Sequence, residues 1–399
     1  RVHARAQNFG RMNMERPRIG YITVDDPLDR RTWSGTNYYL MKALEERFGD
    51  VVPLGPLKPQ PELFIGQAVN QAALRVAGKR FNYRDSFLLA RAYRRVLRQR
   101  IREERFSLLV APAGLTTMAL LDTDVPTVHI NDRCLAGALD YHGILRDLLP
   151  FSERDGLALE QRTLHRAALN VYASAWAADA ARRAAPGAAT RIRTIPFGVN
   201  LPAPPPPPVA RSFPDGPLRL LFIGTKWEEK GGPIAYDALL ELKRRGVPAT
   251  LTVCGCAPPP SLNDPDLVRA GFLNKNDPAQ LARLQDLLRT ADLLIVPTRF
   301  EAYGIVFCEA AAYGVPALAT RTGGVPTIIA DGVTGFLFDT EQEGLAYAQR
   351  AHELVLRPEL WQEMRVAARQ RFEQYFTWPA FVDTMAGQLA SLGLISNSR

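Results

Sequence analysis

Cysteine is scarce in this chain. Cys134, Cys254, Cys256 and Cys308 are the whole complement in 399 residues. None of them forms the paired CxxC spacing of a structural zinc site. Cys254-Gly255-Cys256 lies in an apolar run that reads as a strand, where a thiol is more often packed than ligating. Such sparing use suits a reducing cytoplasm. Long apolar runs are missing too; none approaches the roughly 20 residues of a membrane span. The opening residues, RVHARAQNFGRMNMERPR, are basic but have no apolar core of the kind a secretory leader needs. They also have no initiator methionine. Residues 1–16 are therefore expected to be a disordered or added tail, with Met12 or Met14 as a candidate native start.

Acidic residues are in deficit: 41 Asp and Glu face 49 Lys and Arg, for a net charge of +8. The excess is concentrated. Residues 79–105 hold ten basic side chains against three acidic ones. Within them, Phe87, Leu88, Tyr93, Val96, Leu97 and Ile101 recur at helical spacing, so one face is apolar and the other arginine-rich. A solvated face is the plainer reading of that helix. Peripheral contact with an anionic membrane, at the inner face of a cell membrane, is the sharper one. Nucleic acid is not expected, because no aromatic stacking platform accompanies the charge.

What is present is an alternation of strand and helix signals. With 399 residues the chain has room for two or three domains. The most informative stretch is residues 293–338, LLIVPTRFEAYGIVFCEAAAYGVPALATRTGGVPTIIADGVTGFLF. Leu293–Val296 reads as a buried parallel strand and Pro297 ends it. A loop over 298–304 leads into an Ala- and Glu-rich helix over 305–313, closed by Gly314. Residues 315–319 make the next strand, and Thr322-Gly323-Gly324 the next strand-to-helix turn. Functional groups thus fall at the carboxyl ends of parallel strands, where open α/β sheets bind ligands.

Two of those groups are Glu301 and Glu309, with seven residues between them. Positions i and i+8 on a helix lie about 80° apart, on one face. Between the two carboxylates, the amides of Ala302, Tyr303, Gly304 and Ile305 would form a helix N-terminus suited to phosphate. Two acceptors flanking an anion seat fit a ligand with hydroxyls at both ends and phosphate in the middle. A sugar nucleotide is such a ligand. The plainer alternative is two solvated helix glutamates, one favoured by the helix dipole.

The motif context goes further. EAYGIVFCEAAAYGVP, then a GGVP turn and DGVTGFLF, resembles the E-x7-E signature of glycosyltransferase family 4, a family of retaining enzymes. The resemblance implies an α/β chain of GT-B fold, with two Rossmann-like doubly wound parallel-sheet domains facing across a cleft. Gly224-Thr225-Lys226-Trp227-Glu228-Glu229-Lys230-Gly231 resembles the family's Gly-Arg-x-x-x-x-Lys-Gly loop, with Thr225 where the arginine usually stands. Lys230 occupies the diphosphate-binding position, and Lys226 is the candidate second cation. Gly224 and Gly35 fall at turns where backbone approaches donor phosphate or acceptor, and Leu273 lies in a GFL segment whose backbone meets the nucleobase. After the strand over 126–130, Asp132 falls where many members place a histidine beside the donor sugar. We therefore expect Asp132 in the cleft and His129 within the strand.

The implied catalytic set is Glu301, Lys230 and Asp132. The implied donor set is Gly35, Gly224, Lys226, Lys230, Leu273, Glu301, Ala302, Tyr303, Gly304, Ile305 and Glu309. The resemblance calls for no resident cofactor and no metal; the nucleotide-diphosphate sugar is a co-substrate, and a hydroxyl-bearing molecule the acceptor. Asp122-Thr123-Asp124 imitates a metal-binding DxD but reads as turn chemistry. Thr327 replaces the glutamate usual in the GG-x-x-E turn.

The expected layout is an acceptor domain over 17–200, a proline-rich connector over 201–216, a donor domain over 217–376, and a terminal helical segment over 377–399 that crosses back to the first domain. A GT-B epimerase or phosphorylase, and a non-catalytic sugar-nucleotide-binding subunit, stand as alternatives. Intact Glu301, Glu309 and Lys230 weigh against the subunit.

Overall fold

The structure is a computed structural model that describes residues 17–395 except 140, 142 and 210. The expected tail over 1–16 and the last residues of the 377–399 segment lie outside the described residues.

Two six-stranded parallel sheets organise the described chain. The first contains β1 (Ile19–Tyr21), β2 (Val51–Pro53), β3 (Leu108–Pro112), β4 (Thr127–Asn131), β5 (Leu169–Tyr172) and β6 (Ile192–Thr194), in the order β2-β1-β3-β4-β5-β6. The second contains β7 (Leu218–Ile223), β8 (Ala249–Cys254), β9 (Leu267–Gly271), β10 (Leu293–Val296), β11 (Ala317–Thr320) and β12 (Gly335–Phe338), in the order β12-β11-β10-β7-β8-β9. The inner strands are apolar on both faces because helices cover both sides. All four residues of β10 are fully buried, for example.

The first sheet carries α1 (Thr36–Phe48), α2 (Gln60–Ala77), α3 (Phe87–Glu103), α4 (Leu115–Met118), α5 (Leu135–Ala138), α6 (Pro150–Arg166) and α7 (Ala175–Ala184). The second carries α8 (Gly232–Arg244), α9 (Pro278–Thr290), α10 (Ile305–Ala312), α11 (Val325–Ile328), α12 (Gly344–Leu356) and α13 (Pro358–Tyr375). A last helix, α14 (Trp378–Ser391), returns to the first sheet and packs on α1. Arg47 of α1 meets Asp383 of α14 at 3.1 Å, and Trp378 donates from Nε1 to Asn200 Oδ1 at 3.2 Å.

The proline run of 201–216 does not hang free. Arg369 on α13 donates to the carbonyls of Pro205 (2.8 Å) and Pro206 (3.2 Å), which pins the connector to the second sheet's helices. An aromatic cluster seals the joint between the two units. Phe197 meets Trp33, Tyr303, Trp378 and Phe381 with ring centroids 5.4–5.7 Å apart.

In the second sheet the chain runs outward through β7, β8 and β9, then restarts on the other side of β7 with β10. Loops leaving β7 and β10 therefore diverge around a crevice, the place where such sheets hold ligands.

One expected element begins differently. The sequence suggests that Trp33-Ser34-Gly35-Thr36 opens an amphipathic helix running through Phe48. Instead Trp33 and Ser34 both have positive φ (45° and 58°), and the helix starts at Thr36. Tertiary contacts hold that turn: the Trp33 indole reaches Asp132, and Asn200 Nδ2 donates to Ser34 O at 3.0 Å. Such left-handed backbone costs free energy for non-glycine residues and persists only where surroundings fix it.

Candidate functional site

The loop after β7 and the loop after β10 lie against each other. Gly231 permits this: its φ is 77°, and a β-carbon there would collide with the carbonyl of Pro297 at the end of β10. Arg299 N–H donates to Glu229 O at 2.9 Å and ties the loops together. Lys230 is thereby delivered to Glu301. Its Nζ donates to Glu301 Oε2 at 2.7 Å and to Phe300 O at 3.2 Å.

A second pair lies further along the same crevice. Glu309 sits in α10, 2% exposed. Lys275, in the loop after β9, donates from Nζ to Glu309 Oε1 at 2.5 Å. Both pairs border one cleft of about 270 Å³, which the N-terminus of α10 also faces through Gly304, Ile305 and Val306. Gly224 and Leu273 line it as well. From the opposite unit Arg30, Arg31 and Ser34 close the wall. The cleft therefore joins two carboxylates, four cationic side chains and a helix N-terminus. Its positive ends can hold a diphosphate and its carboxylates can accept from sugar hydroxyls.

The structure brings together Lys230, Glu301, Glu309, Gly224, Leu273, Gly304 and Ile305 from the expected set. Others fall elsewhere. Lys226 is exposed outside the cleft wall and pairs with Glu229 at 2.7 Å, because the loop turns it away between Gly224 and Lys230. Tyr303 points into the joint: its hydroxyl donates to Phe197 O at 3.1 Å and the ring is 3% exposed. Ala302 packs its carbonyl against Gly324 instead of bordering the cleft. Gly35 is buried as the N-cap of α1, one residue beyond the cleft-lining Ser34.

Asp132 lies just beyond β4 and accepts from Trp33 Nε1 at 2.9 Å. The indole stands on it, and Asp132 is not part of the cleft wall. Burial raises its carboxyl above the usual range, and the nearby Glu301 charge adds to that. His129 is inside β4, 1% exposed, with Nδ1 3.2 Å from Asn170 Oδ1. Burial lowers its pKa to about 4.

Sequence reasoning missed Lys275 as a partner, Arg30, Arg31 and Ser34 as cleft residues, and Tyr141. The Tyr141 hydroxyl accepts from Glu301 N–H at 2.9 Å across 160 residues of sequence. Lys275 carried a signal, since it directly follows the GFL segment that the family resemblance singles out. Tyr141 carried none.

The basic segment 79–105 also differs in detail. The apolar face of α3 is spent on the core: Leu89, Tyr93, Leu97 and Ile101 are buried. Arg95 pairs with Glu62 at 2.7 Å and Arg100 donates to Leu54 O at 2.6 Å. Exposed apolar side chains lie instead on neighbouring α2, at Phe64, Ile65, Val69 and Val76. Among the described residues no helix is long and apolar enough to cross a membrane, and no three His, Cys, Asp or Glu residues cluster as metal ligands.

Family profiles match both halves of the chain. One described as Glycosyltransferase Family 4 matches residues 36–202, and one described as Glycosyl transferases group 1 matches residues 217–356. The chain belongs to glycosyltransferase family 4. One family relative is the D-inositol 3-phosphate glycosyltransferase of Thermobifida fusca, 31% identical over 211 residues, which are 49% of this chain and 48% of that protein. The chain thus spans about half the length of the curated relatives it matches. Among solved structures, sucrose-phosphate synthase from Thermosynechococcus elongatus is 18% identical with a TM-score of 0.66, covering 95% of this chain and 99% of that one. Anabaena HepE in complex with UDP and glucose is 16% identical with a TM-score of 0.61, covering 94% and 100%. At such identities the likeness speaks for the architecture. This family 4 chain has the GT-B arrangement of two Rossmann-like units.

Proposed function

We propose that this chain is a retaining hexosyltransferase that moves a sugar from a nucleotide diphosphate, UDP or GDP first among them, to a hydroxyl of a glycan, lipid or small-molecule acceptor. The observation that carries the reading is the double pairing in one cleft, Lys230 with Glu301 and Lys275 with Glu309, on either side of the α10 N-terminus. The Anabaena structure with UDP and glucose on the same architecture supports the choice of ligand class.

In this reading the diphosphate lies over Gly224 and the N-terminus of α10, and Lys230 leaves Glu301 to meet it. The bond between the anomeric carbon and the β-phosphate oxygen breaks, and its electron pair stays on the diphosphate. Charge building there is balanced by Lys230 and the helix dipole, which fill the place a metal ion takes in other transferases. The acceptor oxygen bonds the anomeric carbon on the face that the leaving group vacates. Its proton passes to the departing phosphate oxygen, so configuration is retained. Glu301 holds donor sugar hydroxyls and shapes charge near the anomeric carbon. Glu309 holds the ribose hydroxyls. Asp132, once the Trp33 indole moves aside, approaches the sugar from the first unit.

We place the protein in the cytoplasm, with peripheral contact at the inner membrane face through the stripe of α2 beside the basic side chains of 79–105. Incubation with a panel of nucleotide sugars tests the whole reading. Acceptor-stimulated release of nucleoside diphosphate, unaffected by EDTA and giving a product of retained anomeric configuration by NMR, is the expected result. Binding without release would instead mark a non-catalytic subunit, and an inverted product would end the retaining mechanism.

A further inference from the structure

Tyr141 of the opposite unit holds the peptide of Glu301. Tyr141 sits between α5 and α6, and its ring packs against Trp176 (centroids 5.0 Å apart) and Phe300 (5.6 Å). Its hydroxyl is at the centre of three contacts. Glu301 N–H donates to it at 2.9 Å, Thr322 Oγ1 lies 2.8 Å away, and Glu301 O lies 3.3 Å away. A phenol has one proton to give and two lone pairs. All three contacts are satisfied together if Glu301 N–H and the Thr322 hydroxyl donate and Tyr141 donates to Glu301 O.

The surroundings leave no slack. Gly324 N–H also donates to Glu301 O, at 3.1 Å. A β-carbon on Gly323, whose φ is 51°, would strike both Glu301 O and the Tyr141 hydroxyl. The two strand-end turns of the second sheet and the tyrosine of the first unit thus share one packed point. A second contact crosses nearby, where Ala175 N–H at the start of α7 donates to Thr327 Oγ1 at 3.2 Å. Thr327 is the residue that departs from the family's usual glutamate, and here it joins the two units.

We propose that Tyr141 is a positioning residue that makes the placement of Glu301 depend on closure of the two units. Resting on the transferase reading above, the proposal is that the carboxylate of Glu301 is aimed at the donor sugar only while the Tyr141 hydroxyl bridges the peptide of Glu301 to Thr322. Opening the cleft withdraws the hydroxyl, frees the Glu301 peptide and switches off transfer until both substrates have drawn the units together. The nucleoside end of the donor stays held, since Glu309, Lys275 and Leu273 belong wholly to the second unit.

The test is Tyr141→Phe, which keeps the ring against Trp176 and Phe300. Two readouts are taken on the full chain: kcat with KM for the donor that the nucleotide-sugar panel selects, and hydrogen exchange of the Glu301 amide by mass spectrometry of peptides from 297–304. Expected are a fall in kcat of about ten- to a hundredfold, as for loss of a buried hydrogen-bonded partner, and donor KM within about twofold. Exchange at the Glu301 amide rises about tenfold or more, while α10 amides stay as they were. Thr322→Val, which removes one partner only, gives a smaller fall in kcat, and the double variant is no worse than Tyr141→Phe. Unchanged exchange in Tyr141→Phe would show that the bridge does not exist. Raised exchange with unchanged kcat would show that it exists without positioning anything. A wild-type chain that releases nothing from any donor removes the transferase reading and this role with it, whereas an active wild type with an equally active Tyr141→Phe variant removes this role alone.

Discussion

Lys230→Met is the sharpest probe of the cleft. The ammonium lies 2.7 Å from Glu301, and the two side chains are 24% and 16% exposed. If a developing phosphate charge lies about 4 Å from Nζ in a site of effective dielectric about 20, the attraction is about 4 kcal/mol. That corresponds to about a thousandfold in rate. Partial exposure trims it, so a fall of about 10²–10³ in kcat is expected, the range also seen when one oxyanion donor is removed. Folding stability should move by only about 1 kcal/mol, because partly hydrated ion pairs contribute little. The assay is nucleoside diphosphate release under saturating donor and acceptor, beside a urea titration of the same sample. Turnover within threefold of wild type, in a variant that folds normally, would refute the electrostatic account of the leaving group. A large loss of stability alongside the loss of turnover would point to a structural lysine.

Three further perturbations test separate parts of the structure. Glu309→Gln should weaken nucleoside diphosphate binding in calorimetry about ten- to a hundredfold, with a smaller effect on kcat; it also strands Lys275 beside a neutral amide, so Lys275→Met in the same chain should recover stability without recovering affinity. Acid should destabilise the fold through His129: its unfolded value is 6.5 and its folded value about 4, so the unfolded chain binds the proton first and stability falls by about 3 kcal/mol as pH drops from 6.5 to 4. His129→Gln should flatten that slope in urea titrations at pH 7.5 and 4.5, and an unaltered slope would contradict the assignment. Phe64→Ser with Val76→Ser, at side chains 72% and 89% exposed, should cut co-sedimentation with phosphatidylglycerol vesicles about tenfold or more. Absence of wild-type binding to those vesicles, or equal binding to neutral ones, would remove the membrane contact.

The second sheet was legible where its strands are short apolar runs ended by Pro or Gly, as β10 is by Pro297. β10 was readable residue for residue at Leu293–Val296. Lys230 and Glu301 were readable because each lies a few residues beyond such a strand, and Glu309 because it lies eight residues after Glu301 in the helix that follows; parallel topology sends all strand ends to one rim. The elements that were not read are instructive. Helix α2 was overlooked although Pro61 and Gly78 mark its ends, because its exposed Phe64, Ile65, Val69 and Val76 do not form the inward stripe that a periodicity search seeks. The left-handed turn at Trp33 and Ser34 is imposed by Asp132 and Asn200, about 100 and 166 residues away, so no local rule could find it. Tyr303 sits inside a motif whose amides were expected to offer a phosphate seat, yet its ring packs in the aromatic joint, and sequence adjacency cannot separate those two roles.

That joint bears on how Glu301 is controlled. The loop from Phe300 to Gly304 is held from three directions at once. Below it, Tyr303 donates to Phe197 O and packs in the aromatic cluster where α14 and the connector meet. Beside it, Lys230 bonds both the carboxylate of Glu301 and the carbonyl of Phe300. Across from it, Tyr141 holds the Glu301 peptide. Only the Lys230 contact lies wholly within the second unit; the other two cross the joint. A diphosphate that takes Lys230 away leaves the Glu301 carboxylate without its partner in the donor unit, where Gly324 N–H still holds Glu301 O and Thr298 Oγ1 still holds Phe300 O, and the loop then leans more on restraints that exist only while the units are closed. Donor binding and closure are coupled through this loop by that loss, and the coupling has a measurable sign. Binding of nucleoside diphosphate alone should make the Glu301 amide more sensitive to Tyr141→Phe than it is in the free protein.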